Sequence, residues 1–557
     1  MASIGDTSAT FCATLVDEWI RQGVRHAVVA PGSRSTPLAI ALAHRPELAV
    51  HLFHDERSAG FAALGCSLAT GVPAILLCTS GTAATHFHAA VIEASASNVA
   101  MIVCTADRPS ELHDVAAPQT IDQTRLYGNA VRWFHDPGVP SMDATHTWRP
   151  LAARAFAASL QQRSGPVHLN LPFREPLVGT PSELPAARDG VWSRVVRPVS
   201  TQVEGLGDVL QLINGRRGVV IAGNGATRDV LSLAEALQWP IFADSTSGIR
   251  ECHSHVLTSF DPILRSESFR NSHMPDVVIR IGATPASKVL AQWVASSGCE
   301  VIQISQHEAV IDPDHVVGIT VIGEMTQIIQ SLVRHAKSCD GQWVADWSRA
   351  ESVAQEAIDA FTNAEWCEPT VARETTKSMQ VGTHLVVSSS MPIRDIEWFG
   401  TVTPGVTVHS NRGTNGIDGV ISTSIGIALA SQASVTVYIG DVAFLHDSTA
   451  LIGLLRRGIR LRIVVVNNDG GSIFSFLPQV EHVTESTFEL LYGTPHGVNI
   501  SDIAAAHGIT YVTASNHNEL RHVLESSETQ IIEIKTNRST NVDTHSALND
   551  AVVSAIG

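Results

Sequence analysis

The chain has 557 residues, 44% of them hydrophobic, and 37 basic against 54 acidic residues leave it a net charge of −17. That length suits three or four domains with sizeable cores, while an acidic balance without a basic tail or stripe argues against a nucleic-acid partner. MASIGDTSATF lacks the positive and apolar regions of a signal peptide, and no segment reaches the roughly 18 apolar residues of a membrane span. Eight scattered cysteines without a CxxC read as reduced core residues, so a cytoplasmic protein is expected.

From residue 10 to about 170, strand-like runs alternate with helical spacing. The strands are HAVVA (26–30), LAVHLF (48–53), PAILLC (73–78), VAMIVC (99–104) and PVHLNL (166–171), with helices expected at 36–44, 56–70 and 82–97. This pattern predicts a doubly wound α/β domain over 1–185. A Pro-rich passage, residues 172–190, reads as a linker. A second α/β domain is expected at 200–336, with strands at 218–223, 276–282 and 300–305. Its AGNGAT (222–227) opens like a dinucleotide fingerprint, but Arg228 stands where the third glycine belongs, so a helix-capping turn is the better reading. The third domain, 350–557, closes with a strand at 530–535. The fold class is therefore α/β, with three parallel-sheet domains.

The third domain carries the most informative stretch. VTVYI (435–439) and LRIVVV (461–466) read as buried parallel strands, ended by Gly440-Asp441 and Asn467-Asn468. Helical spacing between them predicts a helix from Asp447 or Ser448 to Gly458, which makes a strand–helix–strand crossover. Such a unit places Asp441 and Asn468 at the carboxyl edge of the sheet, where open α/β sheets bind ligands. A carboxylate, an amide oxygen and a free carbonyl at Gly470 are hard oxygen ligands that suit Mg²⁺ bridging a diphosphate, with Mn²⁺ as the alternative ion. Either dipeptide alone is more simply a turn that ends a strand, but at this spacing the ligand reading prevails.

Other candidates sit at comparable strand-to-helix turns. Glu56, in HDERSAGF, begins a helix after a strand, where a first-turn acid suits the helix dipole. Ser33 and Arg34 lie in PGSRSTPL, Arg108 in TADRPSEL, Gln119 in APQTID, Ser390 and Arg394 in SSSMPIRD, and Arg412 in HSNRGTNGIDG. Each arginine alone is an ordinary ion-pair partner. Four at such turns suggest a substrate with several carboxylates, which guanidinium forks grip bidentately. His51 with His54, His86 with His88, and the 252–255 cluster resemble metal pairs but lack matched partners, so structural roles are expected.

Gly-Asp-x, about 25 residues and then Asn-Asn resembles the thiamine-diphosphate signature, with Val442 where many members carry glycine. The domain order resembles pyruvate-oxidase-type thiamine enzymes. PGSRSTPL, TSGTA (79–83), TADRP, SSMPIRD, NRGxxGIDG and NNDGGxIF are similar to the 2-succinyl-5-enolpyruvyl-6-hydroxy-3-cyclohexene-1-carboxylate synthase family of menaquinone biosynthesis. The resemblance implies a transferase that decarboxylates 2-oxoglutarate on thiamine diphosphate and adds the four-carbon fragment to isochorismate. It implies that Glu56 activates the cofactor by sharing a proton with its pyrimidine nitrogen, and that Asp441, Asn468 and Gly470 hold the metal. Arg394, Ser390 and Arg412 would meet the oxoacid, and Ser33, Arg34, Arg108, Gln119 and Lys288 would meet isochorismate. Arg394, Arg412 and Gln119 join Glu56 as the catalytic set. Ser80, Gly440, Val442, Ala443 and Ile473 would line the cofactor, as would Ile417 and Phe474, for which a plain core role stands equally. Because the family pairs Glu56 of one subunit with Asp441 of another, a homodimer or homotetramer is implied. The alternatives are an acetolactate-synthase-like carboligase, disfavoured by the arginines, and a non-catalytic diphosphate-binding homologue, disfavoured by the presence of Glu56 and Asp441.

Overall fold

A computed structural model describes residues 3–196 and 204–557; the expected start of the second domain near 200 lies outside the described residues. Three six-stranded sheets carry the fold. The first holds β1 (His26–Val29), β2 (Ala49–Leu52), β3 (Ala74–Cys78), β4 (Met101–Asp107), β5 (Trp133–His135) and β6 (Pro166–Pro172), in the order β2-β1-β3-β4-β6-β5. All its pairings are parallel. The central strands β3, β4 and β6 are buried along their whole length, which is why they read as unbroken apolar runs. The three-residue edge strand β5 is half-buried and was not anticipated, because it is too short to leave a periodic signal.

The second sheet holds β7 (Gly218–Ala222), β8 (Ile241–Ala243), β9 (Val256–Leu257), β10 (Val277–Ile281), β11 (Glu300–Ser305) and β12 (Val317–Ile322), in the order β12-β11-β10-β7-β8-β9. AGNGAT forms the turn between β7 and the helix Asp229–Leu237; a Cβ on Gly223 would lie 1.7 Å from the Ala283 carbonyl oxygen, so the glycine serves close packing. The third sheet holds β13 (His384–Val387), β14 (Thr407–His409), β15 (Val435–Gly440), β16 (Leu461–Asn467), β17 (Thr510–Thr513) and β18 (Gln530–Lys535). Its order, β14-β13-β15-β16-β18-β17, repeats that of the first sheet. The likeness extends to side chains. His26 and His51 face each other across β1 and β2 at 3.3 Å, and His384 and His409 do so across β13 and β14 at 3.0 Å, in the same register. His51 therefore pairs with His26 rather than His54. Cys66 lies close to that first pair, but the Arg457 guanidinium acts on both His51 and Cys66 and opposes a cation there.

The chain forms two compact units: one from the first sheet together with residues 411–433 and 444–461, the other from the second and third sheets. In the first unit, the helices Glu56–Thr70 and Val420–Ser431 pack backbone to backbone. A Cβ on Gly65 would stand 2.0 Å from the Thr423 carbonyl oxygen, and one on Gly426 2.0 Å from that of Ala62. The Cys66 thiol donates to the Gly426 carbonyl at 3.4 Å, and burial pushes that thiol up to about 12, as an inert reduced cysteine requires. The Pro-rich passage and the residues just after it form a strap. Thr180 N donates to Asp6, Ser182 N to Thr10 and Trp192 N to Glu18, fastening it along the helix Ile4–Gln22.

One expected helix is absent. Between β15 and β16 a short helix, Asp441–His446, begins on the signature aspartate itself, and two 3₁₀ turns follow at Ser448–Leu451 and Leu454–Arg457. Gly453 and Gly458, with φ of 72° and 64°, open and end the second turn. Asp447 cannot cap a helix because its carboxylate is already taken by Ser422, from N–H at 2.7 Å and from the hydroxyl at 2.8 Å. The close helix crossing predicts that Gly65→Ala or Gly426→Ala costs about 1–3 kcal/mol or more by overpacking. Thermal unfolding checks this, with Gly71→Ala, where nothing lies within 4 Å, as the milder reference.

Candidate functional site

In the second unit, β15 and β16 are neighbours, and their carboxyl ends bring the signature residues together. Asp441 is 2% exposed. Its Oδ1 accepts from Val442 N at 2.7 Å, and its Oδ2 from Gly470 N at 2.9 Å and from the His496 imidazole at 3.2 Å. Burial holds its carboxyl above the usual range, against the pull of these donors. Gly440, Val442 and Ala443 surround it at the start of the short helix.

Asn468 donates through Nδ2 to Glu368 at 2.9 Å, while its Oδ1 is buried and meets no donor among the described residues. Gly470 has φ 138°, and a Cβ there would stand 1.9 Å from the Gly493 carbonyl oxygen, so no other residue fits. Its carbonyl, expected to be free, instead accepts from Ser472 N at 3.1 Å; one lone pair remains. The 3₁₀ turn Ser472–Phe476 carries Ile473, which packs against the core, and Phe474, whose ring lies 5.4 Å from Tyr492.

Ser390 precedes the helix Met391–Phe399 with φ 78°, an uncommon backbone for a residue with a Cβ. Its carbonyl accepts from Arg394 at 2.6 Å, which folds that guanidinium back toward the strand end. Behind Arg394, Asp395 and His545 form a buried pair at 2.7 Å. Lys288 is exposed at the start of the helix Lys288–Ser297.

The first unit holds the remaining candidates. Glu56 opens its helix with Asp55 as N-cap, and it is near enough to the buried Cys78 thiol to help burial raise it. PGSRS and TSGTA meet closely: a Cβ on Gly32 would lie 2.4 Å from that of Thr79, and Arg34 N donates to Thr79. Arg34 is buried, with Nη1 on the Phe173 carbonyl at 3.0 Å and Nη2 on Glu175 at 3.2 Å, while Nε meets no acceptor among the described residues. Arg108 Nη1 donates to the Gln119 carbonyl at 2.8 Å; burial and then the Arg34 charge lower its pKa. Ser80 exchanges two hydrogen bonds with Gln119, each of 3.2 Å. Ser33 is exposed, its carbonyl accepting from Thr36. Arg34, Ser80, Arg108 and Gln119 are thus one cluster. Arg412 and Ile417 share the 411–419 loop, which Glu93 clamps. That carboxylate, 2% exposed, accepts from Gly413 N, Thr414 N and the Thr414 hydroxyl, each at 2.8 Å.

Comparison with known proteins agrees with this layout. Residues 10–126 match the N-terminal TPP-binding domain of thiamine pyrophosphate enzymes, 196–387 the middle domain, and 399–534 the C-terminal TPP-binding domain. The 2-succinyl-5-enolpyruvyl-6-hydroxy-3-cyclohexene-1-carboxylate synthase of Myxococcus xanthus is 37% identical over 100% of this chain and 99% of its own. Those of Geobacillus kaustophilus and Thermobifida fusca are 38% and 37% identical, covering 99% of each chain. The chain belongs to this family of thiamine pyrophosphate enzymes. Its three α/β sheets are those of the family, as its motifs imply, and it is a thiamine-diphosphate-dependent synthase. No helix among the described residues is long and apolar enough to cross a membrane.

The donor set of this thiamine pyrophosphate enzyme fits its cofactor. An unmet buried amide oxygen, a buried carboxylate and a carbonyl with a spare lone pair are what a hard divalent ion on a diphosphate requires. Glu93, Glu368, His496 and the Asp395–His545 pair were missed in the sequence, because their partners are remote in the chain and no local motif marks them. The Glu93 clamp predicts that Glu93→Ala speeds hydrogen exchange at Gly413 and Thr414 by about 10- to 100-fold, the value of a charged hydrogen bond. Exchange measured by NMR or mass spectrometry checks this, with the amides of β3 unchanged.

Proposed function

We propose that this thiamine-diphosphate-dependent synthase decarboxylates 2-oxoglutarate and joins the four-carbon remainder to isochorismate. The products are 2-succinyl-5-enolpyruvyl-6-hydroxy-3-cyclohexene-1-carboxylate and CO₂, in menaquinone biosynthesis. The observation that carries this reading is the placing of Arg394 beside Ser390 at one strand end, and of Arg34, Arg108 and Gln119 as one cluster at another. Substrates with four carboxylates between them need such groups. The relatives that match the whole chain carry this synthase's name, which supports the same reading.

Thiamine diphosphate, when bound, supplies the electron sink that decarboxylation of a 2-oxoacid needs. Asp441, Asn468 and the Gly470 carbonyl would hold its Mg²⁺, or Mn²⁺ in its place. Glu56 would share a proton with the pyrimidine ring nitrogen of the cofactor. Ser80, Gly440, Val442, Ala443 and Ile473 would line the cofactor, and Ile417 and Phe474 would press on it. Arg394, Ser390 and Arg412 receive the carboxylates of 2-oxoglutarate. Ser33, Arg34, Arg108, Gln119 and Lys288 orient isochorismate, and Gln119, Arg394 and Arg412 stay in contact through the reaction. Copies of the chain associate so that Glu56 of one and Asp441 of another serve the same cofactor.

The full-length protein, given thiamine diphosphate and Mg²⁺, is expected to release CO₂ from 2-oxoglutarate and to consume isochorismate. Turnover of pyruvate but not 2-oxoglutarate would reject the assignment in favour of an acetolactate-type reaction. Glu56→Gln is expected to slow turnover by about 10²- to 10⁴-fold with the unfolding midpoint unchanged. Arg394→Ala is expected to raise KM for 2-oxoglutarate by about 10- to 100-fold, and an unmoved KM would remove its role.

A further inference from the structure

Asn468 can serve a cation only if its amide oxygen, and not its amide nitrogen, faces the cradle. The two ends of an amide are nearly equal in size, so the choice falls to whatever holds the other end. Behind Asn468 stands Glu368, 2% exposed, at the start of the helix Glu368–Lys377. Its Oε1 accepts from Asn468 Nδ2 at 2.9 Å and from the Thr536 hydroxyl at 2.8 Å, and its Oε2 from Asn541 Nδ2 at 3.0 Å. Every group that reaches this carboxylate donates to it. Facing a pure acceptor, the Asn468 amide must present its NH₂ and turn Oδ1 the other way, and that Oδ1 is buried without a donor among the described residues.

We propose that Glu368 is a positioning residue, which fixes the Asn468 amide with its oxygen toward the divalent cation of the diphosphate. The inference rests on the metal-cradle reading above. The arrangement reaches further into the unit. Asn541 also donates to the Ser472 hydroxyl at 2.8 Å, and its carbonyl meets His545 Nδ1 at 2.7 Å. His545 Nε2 meets Asp395 at 2.7 Å, one residue beyond Arg394. One buried polar chain thus fastens the metal-facing amide to the helix that carries Arg394. Glu368 itself lies 100 residues from Asn468 and 173 from Asn541 in sequence, so no motif announces it.

The test is Mn²⁺ binding to the full-length protein with saturating thiamine diphosphate, followed by the electron paramagnetic resonance of free Mn²⁺, with the unfolding midpoint of the cofactor-free protein read in parallel. Glu368→Met removes the acceptor and is expected to weaken Mn²⁺ by about 10- to 100-fold. Glu368→Asp, which keeps the charge but withdraws it by one methylene, is expected to weaken it in the same direction and serves if the Met variant does not fold. Glu368→Gln, which can still offer an oxygen to Asn468, is expected to recover most of the affinity. Adding Glu368→Met to Asn468→Ala is expected to cost nothing beyond Asn468→Ala alone. Wild-type Mn²⁺ affinity in the Asp or Met variant, with only the unfolding midpoint lowered, would overturn the proposal and leave Glu368 a structural core acid. Failure of the wild type to bind Mn²⁺ with thiamine diphosphate would instead bring down the cradle reading, and this inference with it.

Discussion

The structure turns on a carboxylate and an amide that end adjacent buried strands with bonding capacity left over. Asp441 is sunk in the protein, and the buried Asn468 oxygen meets no donor among the described residues. Neither arrangement is favourable by itself. A buried acceptor without a donor costs about 1–3 kcal/mol, and burial holds the Asp441 carboxyl above its usual range. The divalent ion proposed above would relieve both at once. The rest of the second unit serves to keep these groups where they are: Gly470 in a backbone only glycine adopts, Glu368 behind the amide, and Asn541, His545 and Asp395 behind Glu368.

The first unit solves a related problem by close packing and clamping. Helices 56–70 and 420–431 approach so closely that glycine is needed at both Gly65 and Gly426, which sets the helix that Glu56 opens. Glu93 does for the Arg412 loop what Glu368 does for Asn468: a buried carboxylate, facing only donors, dictates the conformation of a neighbouring segment. The repeated strand order of the first and third sheets, with an equivalent histidine pair in each, shows the same scaffold used twice.

Much of this was legible in the sequence, for identifiable reasons. Strands β3, β4, β15 and β16 are buried on both faces, so each wrote a continuous apolar run. Gly440-Asp441 and Asn467-Asn468 were readable as strand ends because each closes a long buried apolar run, and β15 and β16 are neighbours in the sheet. Local pattern failed where tertiary bonds decided the outcome. Asp447 looked like a helix cap, but Ser422 claims it, and the expected helix gives way to two 3₁₀ turns. The Gly470 carbonyl looked free, and Ser472 takes half of its capacity. Glu93 and Glu368 were invisible because the groups they hold lie far along the chain.

The most direct test of the account is the location of Mn²⁺ by anomalous diffraction in crystals grown with thiamine diphosphate. The account predicts one strong peak in contact with Asp441, Asn468 Oδ1 and the Gly470 carbonyl, with the Asn468 Nδ2 bond to Glu368 intact. A cofactor bound with its metal elsewhere, or an Asn468 amide turned the other way, would contradict it.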